Sequence, residues 1–158
     1  MTNTDEPFFA IALTRMTGFN LPMALQLYQP LGSAKAVYEH RNNMGDIMPE
    51  STLRLRESMK QWDDALKRAA AEMEFITKGG IKTLTLNDVD YPERLRHCPD
   101  APIVLYYKGS ADLNQHYVLN MVGTRRCTNY GQDIIRRFVS DLRQLCPKVL
   151  IVSGLARS

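Results

Sequence analysis

The pattern of apolar and polar residues changes near residue 79. Before that point, apolar residues recur with helical spacing in segments that Gly, Pro and Asn interrupt. Asp5, Asn20 and Ser33 each stand where an N-cap is expected. A longer amphipathic helix is predicted from about Ser51 to Lys78, where two glycines follow. Residues 1–78 are therefore predicted to form a helical domain.

From residue 79 onward, the pattern predicts strands. Residues 81–86 alternate apolar and polar side chains, and residues 103–109 form a second short run that a glycine ends. Residues 117–123 and 149–154 are continuously apolar, which is typical of parallel strands buried on both faces. An amphipathic helix is predicted between these last two strands, so they form a βαβ unit.

Composition narrows the class of protein. The 158 residues are 44% hydrophobic and 23% charged, as in ordinary globular domains. No apolar run approaches the roughly 20 residues that cross a bilayer, and the chain starts with acidic residues where a secretory signal would be basic. We therefore expect a cytoplasmic protein without a membrane partner. The three cysteines are widely spaced, which supports neither a disulfide framework nor a zinc site.

Charge is distributed unequally along the chain. Residues 1–75 hold 8 Lys and Arg against 10 Asp and Glu, whereas residues 76–158 hold 12 against 7. The C-terminal half is therefore the better candidate for binding an anion, although unequal charge can also serve only to keep a surface solvated.

The segment "NMVGTRRCTNYG", residues 120–131, joins the third predicted strand to the helix. Gly123 permits a tight turn, Thr124 offers a hydroxyl, and Arg125 can bind a phosphate through two hydrogen bonds. The N-terminus of the following helix directs its free N–H groups towards the same point. By itself, however, Gly-Thr-Arg after a strand is also an ordinary strand-to-helix turn.

Ser153 and Gly154 follow the fourth predicted strand. Because ligands bind beyond the carboxyl ends of parallel strands, this second loop is expected to face the first. Dinucleotide and Walker A motifs are absent, His40, His97 and His116 are scattered, and no nucleophile motif is found. The sequence therefore predicts no catalytic site, no metal site and no cofactor.

Three segments in order, "DYPERLRHCPDAPIVLYYKG", "MVGTRRCTNYG" and "IVSGLA", resemble the DNA-processing protein DprA family, also called Smf. The resemblance covers roughly residues 80–156, and more loosely the helical first half. It implies an α/β chain, with a SAM-like or helix-hairpin-helix-like domain over residues 1–78. The first part of an extended Rossmann-like domain, doubly wound and mostly parallel, would follow over residues 79–158.

The resemblance also implies a function. Family members are bacterial, cytoplasmic proteins that bind single-stranded DNA during natural transformation and load a RecA-type recombinase onto it, without catalysis. The family's motifs fall on the two loops, and the following residues are predicted to bind DNA phosphates: Gly123, Thr124, Arg125, Arg126, Thr128, Tyr130, Gly131, Ser153 and Gly154.

The chain departs from the family pattern at its C-terminus, where "SGLARS" stands in place of a longer continuation. The family match is therefore expected to be C-terminally truncated. We also expect the fourth strand to expose an apolar edge, which predicts self-association or disorder near residues 148–158.

Two other functions stay open at this stage. The chain could be a nucleotide-phosphate-binding enzyme of the LOG-like Rossmann type, although the PGGxGT-type motif of that class is missing. Alternatively, the helical half could be a protein-interaction module. Its "TGFN" turn, residues 17–20, resembles a DNA-binding hairpin but lacks the paired glycines and flanking basic residues of one.

Overall fold

The computed structural model describes residues 5–123 and 127–154. The helices are α1 Glu6–Met16, α2 Leu21–Tyr28, α3 Ala34–Glu39, α4 Met44–Ile47, α5 Leu53–Ser58, α6 Asp63–Lys78, α7 Glu93–Arg96 and α8 Asn129–Leu145. The strands are β1 Lys82–Thr85, β2 Val104–Tyr107, β3 Val118–Met121 and β4 Leu150–Ser153. Each strand lies within one of the four predicted segments, so the mixed helix and strand content of an α/β chain is confirmed.

Contacts divide the chain into two compact units, Met1–Gly109 and Ser110–Ser158. The first contains α1 to α7 with β1 and β2, and the second contains β3, α8 and β4. Within the first unit, β1 and β2 both contact α1. The domain boundary between residues 78 and 79 stays a prediction.

Helix α1 is the centre of the first unit. Its consecutive residues Ala10 to Leu13 are all buried, and the helix contacts α2, α3, α6, β1 and β2. A helix that is apolar on every side must be surrounded, which explains why so many elements pack on it. Pro7 lies in its first turn. The predicted cap at Asp5 is wrong, because its side chain accepts no hydrogen bond from a helix N–H group and instead pairs with Lys35 Nζ at 3.2 Å.

The next two helices begin as the sequence predicts. Asn20 Oδ1 accepts a hydrogen bond from Met23 N–H, and Ser33 Oγ accepts one from Ala36 N–H, both at 3.0 Å. Each side chain thus satisfies an N–H group that has no acceptor inside its own helix.

The single long helix predicted from Ser51 to Lys78 is wrong, because α5 and α6 are separate helices. Trp62 Nε1 donates to the Met59 carbonyl at 2.6 Å, and both side chains are buried. In a continuous helix that carbonyl would accept from Asp63 N–H. The buried indole takes the carbonyl instead, and the chain turns. The Trp62 ring also packs edge-on against Tyr38, with 5.3 Å between ring centroids.

The two strand pairs differ in direction. β1 and β2 are antiparallel, with Lys82 opposite Tyr107, whereas β3 and β4 are parallel, with Val118 opposite Leu150. Since α8 lies between β3 and β4 in the chain, the predicted βαβ unit is confirmed. In the second unit, the apolar side chains of α8 stay partly exposed; they include Ile134, Ile135, Phe138 and Val139. The expected self-association near residues 148–158 stays a prediction, and residues 155–158 lie outside the described part of the chain.

A buried carboxylate joins α1 to α3. Glu6 Oε1 accepts from Ala34 N–H at 2.6 Å, and Oε2 accepts from Lys35 N–H at 3.2 Å. These are the first two N–H groups of α3, which no residue of that helix can satisfy. Burial, opposed by these hydrogen bonds, nevertheless raises the pKa of Glu6 above its ordinary value of 4.5.

We predict that Glu6→Ala lowers the free energy of unfolding by about 1–3 kcal/mol, because it leaves a buried N–H group without an acceptor. Glu6→Gln keeps one acceptor and removes the buried charge, so its cost at neutral pH is smaller. Urea unfolding measures both. The exposed carboxylate of Glu57 is the control, and Glu57→Ala is expected to stay within about 0.5 kcal/mol of the natural chain.

The raised pKa of Glu6 also predicts that the stability of the protein depends on pH. Because the pKa of Glu6 is raised in the folded state, the folded protein binds the proton more tightly than the unfolded chain. The stability from this group is therefore full below pH 4.5 and is lost as pH rises through the raised pKa. Relative to Glu6→Gln, the natural chain should lose unfolding free energy over that interval; a gain would contradict the raised pKa.

Candidate phosphate-binding site

The parallel pairing of β3 and β4 brings two predicted loops to the same edge of the sheet. Met121, the last residue of β3, lies opposite Ser153, the last residue of β4. Gly123 follows two residues after the first strand, and Gly154 follows directly after the second. The carboxyl ends of both strands therefore stand level, in the arrangement at which open parallel sheets bind ligands.

Thr128 begins α8 as its N-cap. Its Oγ1 accepts from Gly131 N–H at 3.1 Å, and its carbonyl accepts from Gln132 N–H at 3.0 Å. The backbone N–H groups of Asn129 and Tyr130, at the first two helical positions, have no acceptor in the helix. With the dipole of a 17-residue helix behind them, they form an electropositive end that favours an anion. The Thr128 hydroxyl, predicted to bind phosphate, keeps its hydrogen free to donate.

Gly131 is required by the packing of that first turn. A Cβ atom at this position would stand 2.8 Å from Cys127 Sγ and 3.4 Å from Thr128 Oγ1. The glycine thus lets the cysteine and the capping threonine fold over the start of α8. The sequence predicted Gly131 as a phosphate contact, and the structure adds this steric reason.

The space beside the two loop glycines is open. A Cβ atom built at Gly123 or at Gly154 would meet nothing within 4 Å, and neither residue has a left-handed φ. Their backbones are consequently accessible to a ligand of phosphate size. Val122, next to the first of them, is 96% exposed.

Tyr130 lies in the first turn of α8 and has a mostly exposed side chain. A tyrosine at this position could be a platform for a base or could pack at the start of the helix. The side chain is 75% exposed, so it does not pack within the described residues. Its ring is therefore available for stacking at the edge where the phosphate would bind.

The structure does not describe the whole predicted site. Thr124, Arg125 and Arg126 lie outside the described residues, as do Leu155 and Ala156 of the second loop. The flanking Gly123 and Cys127 lie inside them. The roles of the five residues outside the described part rest on their positions in the sequence, and these roles stay predictions.

The alternative site at residues 17–20 has no N–H groups to offer. Gly18, Phe19 and Asn20 donate their N–H groups to the carbonyls of Arg15, Thr14 and Thr17, at 2.9, 2.9 and 3.1 Å. This turn is therefore saturated by its own hydrogen bonds and cannot grip a phosphate through its backbone.

Residues 5–123 and 127–154 contain neither a metal-binding cluster nor a membrane-spanning helix. Within them, no three His, Cys, Asp or Glu side chains stand close enough to hold a metal ion. No helix among them has both the length and the apolar character of a membrane span. Thr128 was predicted as a phosphate contact but not as the N-cap of α8, although a threonine directly before an amphipathic segment is a recognisable signal for an N-cap.

Comparison with known proteins finds one family model that is similar to part of the chain, residues 82–158. They match the family model described as DNA recombination-mediator protein A. Among curated proteins, the chain is 33% identical over 75 residues to the DNA processing protein DprA of Streptococcus pneumoniae, a match that covers 48% of this chain and 26% of the relative.

A second relative is the DNA processing protein DprA of Bacillus subtilis. It is 32% identical over 104 residues, which cover 65% of this chain and 33% of the relative. The chain thus spans a third or less of the length of these two curated relatives.

The contact between Cys127 and Gly131 gives a test of the local geometry. Gly131→Ala should gain up to about 1 kcal/mol in helix propensity, but displacing Cys127 Sγ offsets that gain. In a Cys127→Ala background the thiol is gone, so the same substitution should stabilise. Thermal unfolding of the two single variants and the double variant measures the coupling. Additive effects would show that the thiol does not lie over Gly131.

Proposed function

We propose that the chain, whose residues 82–158 match the model of the DNA recombination-mediator protein A family, binds single-stranded DNA at the carboxyl ends of β3 and β4. The observation that carries the proposal is the level register of Met121 and Ser153, which joins two loops into one edge. The relatives that match are DNA processing proteins, so DNA is the ligand that fits both the fold and the family.

The geometry favours binding to the sugar-phosphate backbone of a single DNA strand. The free N–H groups of Asn129 and Tyr130 suit a phosphate oxygen, and the Thr128 hydroxyl can donate to a second. Gly123 and Gly154 leave room for the DNA strand to lie close to the protein backbone. Such contacts carry no base preference, so the affinity should be similar for all sequences.

The remaining side chains complete the proposed site. Arg125 is assigned the main phosphate contact, through a planar guanidinium that binds two oxygens at once. Thr124, Arg126 and Ser153 are assigned supporting contacts. The exposed ring of Tyr130 is assigned a base-stacking role beside them.

The proposal extends to the setting of the protein. We assign it to DNA processing in recombination and natural transformation, in the cytoplasm, with a RecA-type recombinase as partner. The first unit is assigned a SAM-like fold, and the βαβ unit is assigned to the first part of a Rossmann-like domain. The role is binding rather than catalysis.

We predict that Arg125→Ala weakens binding of fluorescein-labelled oligo-dT and of a mixed-sequence strand by the same factor. Each lost phosphate contact should also lower the slope of log affinity against log salt by about 0.7. Fluorescence anisotropy across a salt series measures both quantities.

The control is Arg143→Ala, which removes the same charge from the last turn of α8, at the opposite end of the helix from Thr128. This variant should keep both the affinity and the slope. Unchanged binding after Arg125→Ala would refute the proposed site.

A further inference from the structure

Three aromatic side chains of the first unit are exposed around one ion pair. Phe19 is 63% exposed, Phe75 is 68% exposed and Tyr106 is 50% exposed. Between them, Arg15 Nη2 lies 3.4 Å from Glu72 Oε2. We call this set the aromatic surface, and it consists of Arg15, Phe19, Arg68, Glu72, Phe75, Tyr106 and Lys108.

Phe19 has a backbone conformation that is unfavourable for any residue other than glycine. Its φ is +62°, in the left-handed region, directly after Gly18 at +61°. A non-glycine residue there costs on the order of 1 kcal/mol or more. Burial does not offset this cost, since the ring is mostly exposed. The Arg15 guanidinium carbon stands 5.6 Å from the ring centroid and fixes one side of it.

Tyr106 is fixed by the same ion pair. Its hydroxyl donates to Glu72 Oε1, while Arg15 contacts the other carboxylate oxygen. Burial of the hydroxyl and its bond to Glu72 raise the pKa of Tyr106, so the hydroxyl stays a donor at neutral pH. Phe75 follows Glu72 by one helical turn and lies on the same face of α6. The rings are thus ordered before any ligand arrives.

The charge of the surface favours an anion. Arg68 lies one turn before Glu72 on α6, and Lys108 follows directly after the last residue of β2, two residues beyond Tyr106. Neither cation pairs with a carboxylate among the described residues, and Lys108 Nζ contacts only the Gly79 carbonyl at 3.1 Å. With Arg15 offset by Glu72, two positive charges remain beside three rings. Aromatic rings beside unpaired cations are the combination that single-stranded nucleic acids bind, through base stacking and phosphate contacts.

We infer that the aromatic surface is a second binding site for single-stranded DNA, at which bases stack on Phe19, Phe75 and Tyr106 while Arg68 and Lys108 contact phosphates. The inference rests on the proposed function only in taking the same ligand. Its residues all lie in the first unit, whereas the loop site lies in the second.

The test is anisotropy of labelled oligo-dT with the full chain and single substitutions. Phe19→Ala and Phe75→Ala should each weaken binding about fivefold or more, since a stacked base contributes that much. Both rings are mostly exposed, so thermal unfolding should change little. Arg68→Ala should weaken binding and flatten its salt dependence by about 0.7 in slope.

Matched controls lie on the same unit. Leu53→Ala removes an exposed apolar side chain from α5, and Lys67→Ala removes a cation from a different face of α6. Both should bind like the natural chain. If Phe19→Ala and Phe75→Ala also bind like the natural chain, the inference is overturned. Weakened self-association in sedimentation with unchanged DNA binding would overturn it too, and would assign the surface to a protein partner.

The two proposals fail separately. If Arg125→Ala lowers the affinity for oligo-dT and the aromatic variants do not, the loop site is supported and the second site is refuted. If only the aromatic variants lower the affinity, the second site is supported and the loop site is refuted. If both are correct, the loop and aromatic substitutions combined should reduce the affinity for a long strand more than either alone.

Discussion

The first unit depends on the burial of α1. Residues 10–13 give this helix no polar face in its middle, so it is stable only when other elements surround it. The later strands β1 and β2 supply part of that cover, together with α3 and α6. Glu6 adds a polar joint, because it satisfies the start of α3 from inside the core. One helix thus holds together segments that are up to a hundred residues apart in the chain.

The candidate site depends on a different constraint, the parallel register of two short strands. Neither loop is distinctive by itself. Once Met121 and Ser153 lie side by side, the glycine that follows each strand is brought to the same edge of the sheet. A strand shift of one residue would turn these side chains to the other face and break the arrangement. The candidate phosphate-binding site therefore depends on the pairing of β3 with β4 and not on either loop motif alone.

The two proposed binding surfaces have one property in common: their side chains and N–H groups are already ordered before a flexible ligand binds. Around Thr128 the order comes from a helix cap, and around Glu72 it comes from an ion pair that fixes two neighbouring aromatic rings. A single strand loses much conformational freedom on binding, so protein groups that are already fixed add little further cost. The strained backbone of Phe19 fits the same pattern, since it holds an exposed ring outward.

The sequence by itself determined the elements whose causes are local. The caps at Asn20 and Ser33, all four strands and the βαβ order follow from side chains acting on their own neighbourhood. Tertiary structure decided what local patterns cannot express. The buried Trp62 indole took a backbone carbonyl and divided a helix that periodicity predicted as one. The turn at Phe19 used its own N–H groups, and Arg15, Glu72 and Tyr106 met only because α1, α6 and β2 pack together. The spacing of residues along the chain is enough to predict helical periodicity and caps. Which group takes a buried hydrogen bond depends on residues that become neighbours only when the chain folds.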